Sequence, residues 1–207
     1  MTVTLGPELF ERLHREQWGG TMEPAVYGPG GLSTPDIEEL RSQLGFPLPE
    51  DFSYFLQNVI DPGEVLFDYH NFNKQDYDSS IAWILDGIIF DIEKNNLWLR
   101  RWGNKPVDLE TKIEIARADF HSWPRLLPIH GHRYLAAEPC RTGNPVFSIM
   151  QTDIIYYGAN LAHYLVNEFL DHDHDKHTYA QPIEKIPIWS DFVDNRESFL
   201  TEGFFFH

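Results

Sequence analysis

The chain has a single cysteine, Cys140, among 207 residues. One thiol cannot close an intrachain disulfide, so a disulfide-stapled secreted scaffold is excluded. Basic residues are scarce: 16 Lys and Arg stand against 32 Asp and Glu, a formal charge of −16. Nucleic-acid binding and docking on an anionic membrane both draw on a net basic surface. Neither nucleic acid nor a membrane is therefore expected as a partner. Long apolar runs are missing too. Gly87-Ile88-Ile89-Phe90 is far short of the roughly 20 residues a spanning helix needs. Residues 1–8 show neither the basic nor the apolar segment of a secretory leader, and the expected location is the cytoplasm.

Catalytic signatures are equally sparse. There is no Gly-x-Ser-x-Gly elbow. Ser148 falls in mid-strand without a marked base, and Cys140 is a lone loop thiol after Pro139. Gly28 to Gly31 lacks the strand, helix and lysine of a phosphate-cradling loop. The acidic pairs Glu38-Glu39 and Glu50-Asp51 stand at helix starts, where the helix dipole accounts for them. No cofactor and no enzymatic activity are expected.

What the chain does have is aromatic bulk. Hydrophobic residues make up 42%, with 15 Phe, 9 Tyr and 6 Trp, too apolar for a disordered chain and suited to one packed domain. The charge is concentrated. Residues 33–80 carry 10 acids and 2 bases, residues 151–207 carry 10 and 3, and residues 81–150 carry 8 and 9. Long-range attraction to a basic partner follows from such a surplus.

The hydrophobic pattern predicts a helix from about Pro7 to Gln17, with Leu9, Phe10 and Leu13 on one face, then a Gly/Pro-rich loop. A second helix has Thr34 as cap, Pro35 at its first position and a buried stripe of Ile37, Leu40 and Leu44, ended by Gly45. Pro49 opens a third, with Phe52, Phe55, Leu56 and Val59 at helical spacing. A polar, acidic segment follows from Asp68 to Ser80. Ile88 to Ile92 and Leu97-Trp98-Leu99, rich in β-branched and aromatic residues, predict strands joined at Asn95-Asn96. Asp108 caps a helix presenting Leu109, Ile113, Ala116 and Phe120. Leu126 to Leu135 predicts one strand. Val146 to Met150 and Ile154 to Tyr157 predict a hairpin, and Asn160 caps a last helix with Leu161, Tyr164, Leu165 and Phe169 on its apolar face. This order is α+β, a single domain with an antiparallel sheet flanked by helices.

Two constellations stand out. On one strand, His130 and His132 would share a face and could converge on a metal ion, with Asp153 as third ligand. The Asp171-His172-Asp173-His174-Asp175 tract and His177 alternate carboxylate and imidazole, which suits a solvated loop. The second constellation is a protein interface. Asp68, Tyr69, Asp76, Tyr77 and Asp78 interleave aromatics with carboxylates, and Trp98, Trp102 and Tyr134 could line a groove on the sheet.

Several motifs also carry a family resemblance. They are Thr34-Pro35-Asp36-Ile37-Glu38-Glu39-Leu40 with Leu44-Gly45-Phe46-Pro47-Leu48-Pro49, Leu127-Pro128-Ile129-His130-Gly131-His132-Arg133-Tyr134-Leu135, and Gly143-Asn144-Pro145-Val146-Phe147-Ser148 continuing through Gln151-Thr152-Asp153 to Tyr157-Gly158. With Gly87 to Asp91, Trp102-Gly103 and Ile186-Pro187-Ile188-Trp189-Ser190, they resemble the SUKH superfamily, which includes the yeast cell-wall-assembly regulator domain. His130 stands where related sequences would carry Tyr. The resemblance spans residues 32–192. It leaves residues 1–31 as an N-terminal helix and loop and 193–207 as a tail. It implies an α+β domain with a twisted antiparallel sheet and no general enzymatic activity. Bacterial members are read as cytosolic immunity proteins that neutralise toxins, often nucleases. The leading expectation is therefore an immunity protein for a basic toxin encoded nearby. The others are a regulatory or scaffolding module and a metal-dependent hydrolase built on His130, His132 and Asp153.

Overall fold

The computed structural model describes residues 4–15, 26–27, 31–60, 66–170, 182–201 and 203. The 171–177 His/Asp tract, the loop glycines 28–30 and the Phe-rich end at 204–207 lie outside the described residues. Among the described residues the chain folds as α+β, with eight α-helices and a four-stranded antiparallel sheet.

The first helices follow their sequence signals closely. Helix α1 (Pro7–Arg15) buries Leu9, Phe10 and Leu13. Helix α2 (Thr34–Leu44) starts one residue earlier than its pattern predicts. Ser33, not Thr34, is the cap: its Oγ accepts from Asp36 N at 3.4 Å while Asp36 Oδ2 accepts from Ser33 N at 2.8 Å. This reciprocal pair satisfies two end groups that Thr34 could not reach together. Gly45 closes α2 at φ 79°, a conformation that costs other residues more. Helix α3 (Glu50–Asn58) begins after Pro49 and buries Phe52, Phe55 and Leu56. A short pair, β1 (Val26–Tyr27) with β2 (Val59–Ile60), lies beside this group.

The largest departure comes next. Residues 74–94 form one 21-residue helix, α4 (Lys74–Lys94), capped by Asn73. The predicted strand at Ile88 to Ile92 is thus its last turns. Isoleucine favours strands, but Ile84, Leu85, Ile88, Ile89 and Ile92 recur at helical spacing and bury in one cluster, while Tyr77 near the start of the helix is buried in another. Tertiary burial overrides a propensity worth tenths of a kcal/mol per residue. Asn95 is the helix end rather than a hairpin turn. Leu97-Trp98-Leu99 is not a regular strand: Leu99 makes an isolated bridge to Leu200 before a 3-10 turn at Arg100–Trp102. Helix α5 (Leu109–Phe120) is capped by Asp108, as its sequence predicts, although Leu109 stays exposed.

The sheet runs in chain order: β3 (Leu126–His130), β4 (Arg133–Ala136), β5 (Val146–Met150) and β6 (Asp153–Gly158). The predicted single strand from Leu126 to Leu135 is a hairpin. It turns at Gly131-His132, where Gly131 takes φ 51°. The β5–β6 hairpin turns at Gln151-Thr152 as predicted. Helix α6 (Leu161–Phe169), capped by Asn160, follows. Helices α7 (Trp189–Asp194) and α8 (Arg196–Phe199) complete the described chain.

Alternation along the strands divides the core in two. Leu127, Ile129, Leu135 and Val146 pack with α1, α2, α3 and α6. Leu126, Tyr134, Ala136, Phe147, Ile149, Ile154 and Tyr156 pack with α4, α5 and α7. Helix α1 belongs to the first core and Leu200 to the second, so both ends of the chain add to the packing of the sheet-bearing region. The Ile186-to-Ser190 motif is part of that packing. Ser190 Oγ accepts from Ile186 N at 2.8 Å, and Trp189 Nε1 donates to Pro124 O at 2.7 Å.

Candidate binding surface

The aromatic residues expected at an interface are mostly interior ties. Tyr69 is buried, and its hydroxyl donates to Pro128 O at 3.0 Å. Tyr77 donates to Leu126 O at 3.1 Å and Tyr134 to Ser80 O at 3.1 Å, both buried. Trp98 is 0% exposed and donates from Nε1 to Gly103 O at 2.9 Å. These four cannot present a ring to a partner in this fold. Their hydroxyls and indole satisfy main-chain carbonyls that burial would otherwise strand. Trp102 is partly buried, edge-on to Trp98 at 4.9 Å, with Nε1 on Asp119 Oδ2 at 2.8 Å.

The predicted acids fare differently. Asp68 is half-buried and holds its own turn, accepting from His70 N at 3.0 Å and Asn71 N at 2.9 Å. Partial burial pushes its carboxyl up, but the hydrogen bonds from Asn71 and His70 outweigh this and leave it below the usual carboxylate range. Asp76 and Asp78 are exposed on the first turns of α4, where Asp78 pairs with Lys74.

The metal constellation does not assemble. His130 ends β3 and His132 lies in the turn that follows, so the two do not share a strand face. His130 Nδ1 lies 3.5 Å from Glu168 Oε1, and its ring packs on Phe169. His132 sits in a cleft beside Trp83, where burial and the Arg133 charge lower its pKa. Asp153, the first residue of β6, pairs with Met150 beside the β5–β6 turn, two strands across the sheet from β4. No group of three His, Cys, Asp or Glu among the described residues could hold a metal ion.

In place of a metal site the sheet carries an ion network. Arg133 Nε lies 3.4 Å from Glu168 Oε2, Nη1 donates to Ser148 Oγ at 2.9 Å, and its guanidinium stacks 3.8 Å over the Tyr157 ring. Ser148 is an acceptor here, not a nucleophile with a base. Burial raises the Glu168 carboxyl, and His130 and Arg133 beside it more than offset that, leaving it lowered.

The surface that remains is on α4. Asp76, Ser79, Trp83, Asp86, Phe90 and Glu93 are all exposed. Their spacing of three and four residues places them along one face of the helix. Trp83 is 45% and Phe90 43% exposed, high for such large apolar side chains. The ridge thus interleaves two aromatic rings with three carboxylates. It shares Asp76 with the segment expected at 68–78 and continues the same pattern along α4 to Glu93. In the sequence Ile88 to Ile92 reads as a strand, and only a helical period over 76–93 lines these residues up.

Two hairpin turns border the ridge. A cleft of about 470 Å³ lies between it and the first turn, lined by Ser79, Ser80, Trp83, Gly131, His132 and Tyr134. The second turn is clamped to α4. Asp91, 2% exposed, accepts from Thr152 N at 3.0 Å, Thr152 Oγ1 at 2.5 Å and Asn95 Nδ2 at 2.7 Å. Gly87 lets the turn approach: a Cβ there would stand 2.8 Å from Gln151 Cα. Comparison with protein-family models, curated proteins and solved structures gives no match to this chain. No helix among the described residues is long and apolar enough to cross a membrane.

Proposed function

We propose that this chain is a non-enzymatic, cytoplasmic antidote of the immunity type, which neutralises a basic toxin by binding it through the α4 ridge. The observation that carries this reading is the exposed stripe in which Trp83 and Phe90 alternate with Asp76, Asp86 and Glu93. Large aromatic side chains anchor protein interfaces, while carboxylates steer a cationic partner and lend specificity. The formal charge of −16 extends the attraction beyond contact range. The sequence resemblance to the SUKH superfamily supports the same class. The mechanism is occlusion: the carboxylates occupy the cationic surface with which a nuclease toxin holds its phosphates.

The test is protection. Cells expressing the chain should survive a toxin encoded beside its gene, and a Trp83→Ala/Phe90→Ala variant of equal abundance should not protect. Equal protection by that variant would remove the ridge from the mechanism. No protection and no binding by the wild type would end the immunity reading.

A further inference from the structure

A second feature lies on residues apart from the α4 ridge. A cleft of about 700 Å³ opens between α2 and α3 on one side and the β4–β5 loop with the start of α6 on the other. That volume is within the range of small-molecule sites. Its walls hold one cation, Arg41, and two carboxylates, Glu50 and Asp51, beside apolar surface from Leu5, Ile37, Ala162 and the Tyr54 ring.

The charges share the cleft without meeting. Arg41 Nη2 donates to Ser53 Oγ at 3.1 Å, its Nε is buried without a partner, and among the described residues no ion pair includes it. Among the described residues Asp51 accepts only from main-chain donors, Gly143 N at 2.9 Å and Phe52 N at 3.0 Å. What sets Arg41 apart is its place: a guanidinium with a buried, unpartnered Nε on the wall of a cleft that also holds two carboxylates. The scaffold holds it so: Ser53 is buried on α3 and fixes the guanidinium, while the loop at Gly143 fixes Asp51. Burial also pushes the Asp51 carboxyl up, a cost that a cation seated against it would offset.

We propose that this cleft binds a small zwitterion, an amine and a carboxylate on one molecule with an apolar side chain, as in a free amino acid or a dipeptide. The ligand carboxylate takes the Arg41 guanidinium, its ammonium takes Asp51 with Glu50 at hand, and its side chain covers Ile37 and the Tyr54 ring. Charge-assisted bonds at both ends give the site its selectivity.

The experiment measures thermal unfolding of the full chain with each free L-amino acid and with apolar dipeptides at millimolar concentration. An apolar zwitterion should raise Tm by a few degrees through mass action. A response to single amino acids or to dipeptides alone identifies the source. Acetylating the amine or amidating the carboxylate of the active compound should each weaken binding about tenfold or more. In Arg41→Met, amidation should cost nothing further; in Asp51→Asn, acetylation should cost nothing further. A merely structural role for either residue would not cancel one modification and spare the other. The proposal is overturned if no zwitterion shifts Tm, or if binding survives both modifications unchanged. The ligand modifications decide it even if one variant fails to fold.

Discussion

Removing the Asp91 carboxylate should be among the costliest single changes on α4. The side chain is 2% exposed and takes three hydrogen bonds, two from Thr152 and one from Asn95. Bonds to a charged acceptor contribute about 1.5–3 kcal/mol each. Asp91→Ala strips the acceptor of all three bonds and leaves buried Thr152 donors unpaired, so the low end of that range gives about 4.5 kcal/mol. Water entering the vacated space recovers part, and about 3–4 kcal/mol is expected in urea unfolding followed by circular dichroism. For a chain of this size that corresponds to a Tm lower by roughly 10 °C. Asp91→Asn keeps the shape. With its amide and that of Asn95 turned, it can still accept from Thr152, so it should cost only about 1–2 kcal/mol. Amide exchange at Thr152 N should accelerate in both variants, most in Asp91→Ala. If Asp91→Ala stayed within 1 kcal/mol of wild type, a cost smaller than one such bond, Asp91 would not hold the turn to α4.

Other outcomes follow from the same contacts. Gly87→Ala ought to raise helix propensity by roughly 1 kcal/mol, yet its Cβ would stand 2.8 Å from Gln151 Cα, so a net loss of stability is expected. A gain would show that the turn yields freely. Glu168→Gln should cost about 3 kcal/mol at neutral pH, because Arg133 would stay buried without its carboxylate. The folded Glu168 pKa lies below its ordinary 4.5. Its contribution is therefore complete above that pH and lost as pH falls through the folded value. Wild type and Glu168→Gln should converge in stability on acidification; a constant gap would contradict the assignment. Trp83→Ala and Phe90→Ala should each alter stability by less than about 1 kcal/mol, since both rings are over two-fifths exposed. A larger loss would make them core residues instead of contact residues.

How far the sequence reaches depends on the kind of signal. Caps and stops are local, so the ends of α2, α5 and α6 are readable at Ser33/Thr34, Gly45, Asp108 and Asn160 to within a residue. The β5–β6 hairpin is readable because strand alternation and a short polar turn agree. Helix α4 is not, because Ile88 to Ile92 obeys two patterns at once and only the burial of Ile84, Ile88 and Ile92 decides between them. That one ambiguity hides the ridge. It also makes Tyr77 look like a loop residue when it points from a helix into the core. Likewise, the His130/His132 pair suggests a metal site only while Gly131 is taken as mid-strand; its φ of 51° makes it a turn. The Arg41–Asp51 cleft joins residues from α2, α3 and a loop nearly a hundred positions later. No spacing rule reaches that far.

The central claim, that the α4 ridge docks a basic toxin, is tested most directly by association kinetics. The toxin encoded beside the gene would be mixed with wild type and with Asp76→Asn/Asp86→Asn/Glu93→Gln at low and high salt. The account predicts association roughly tenfold slower for the variant at low salt, with the two converging as salt screens the charges. Equal rates and equal salt dependence would contradict it.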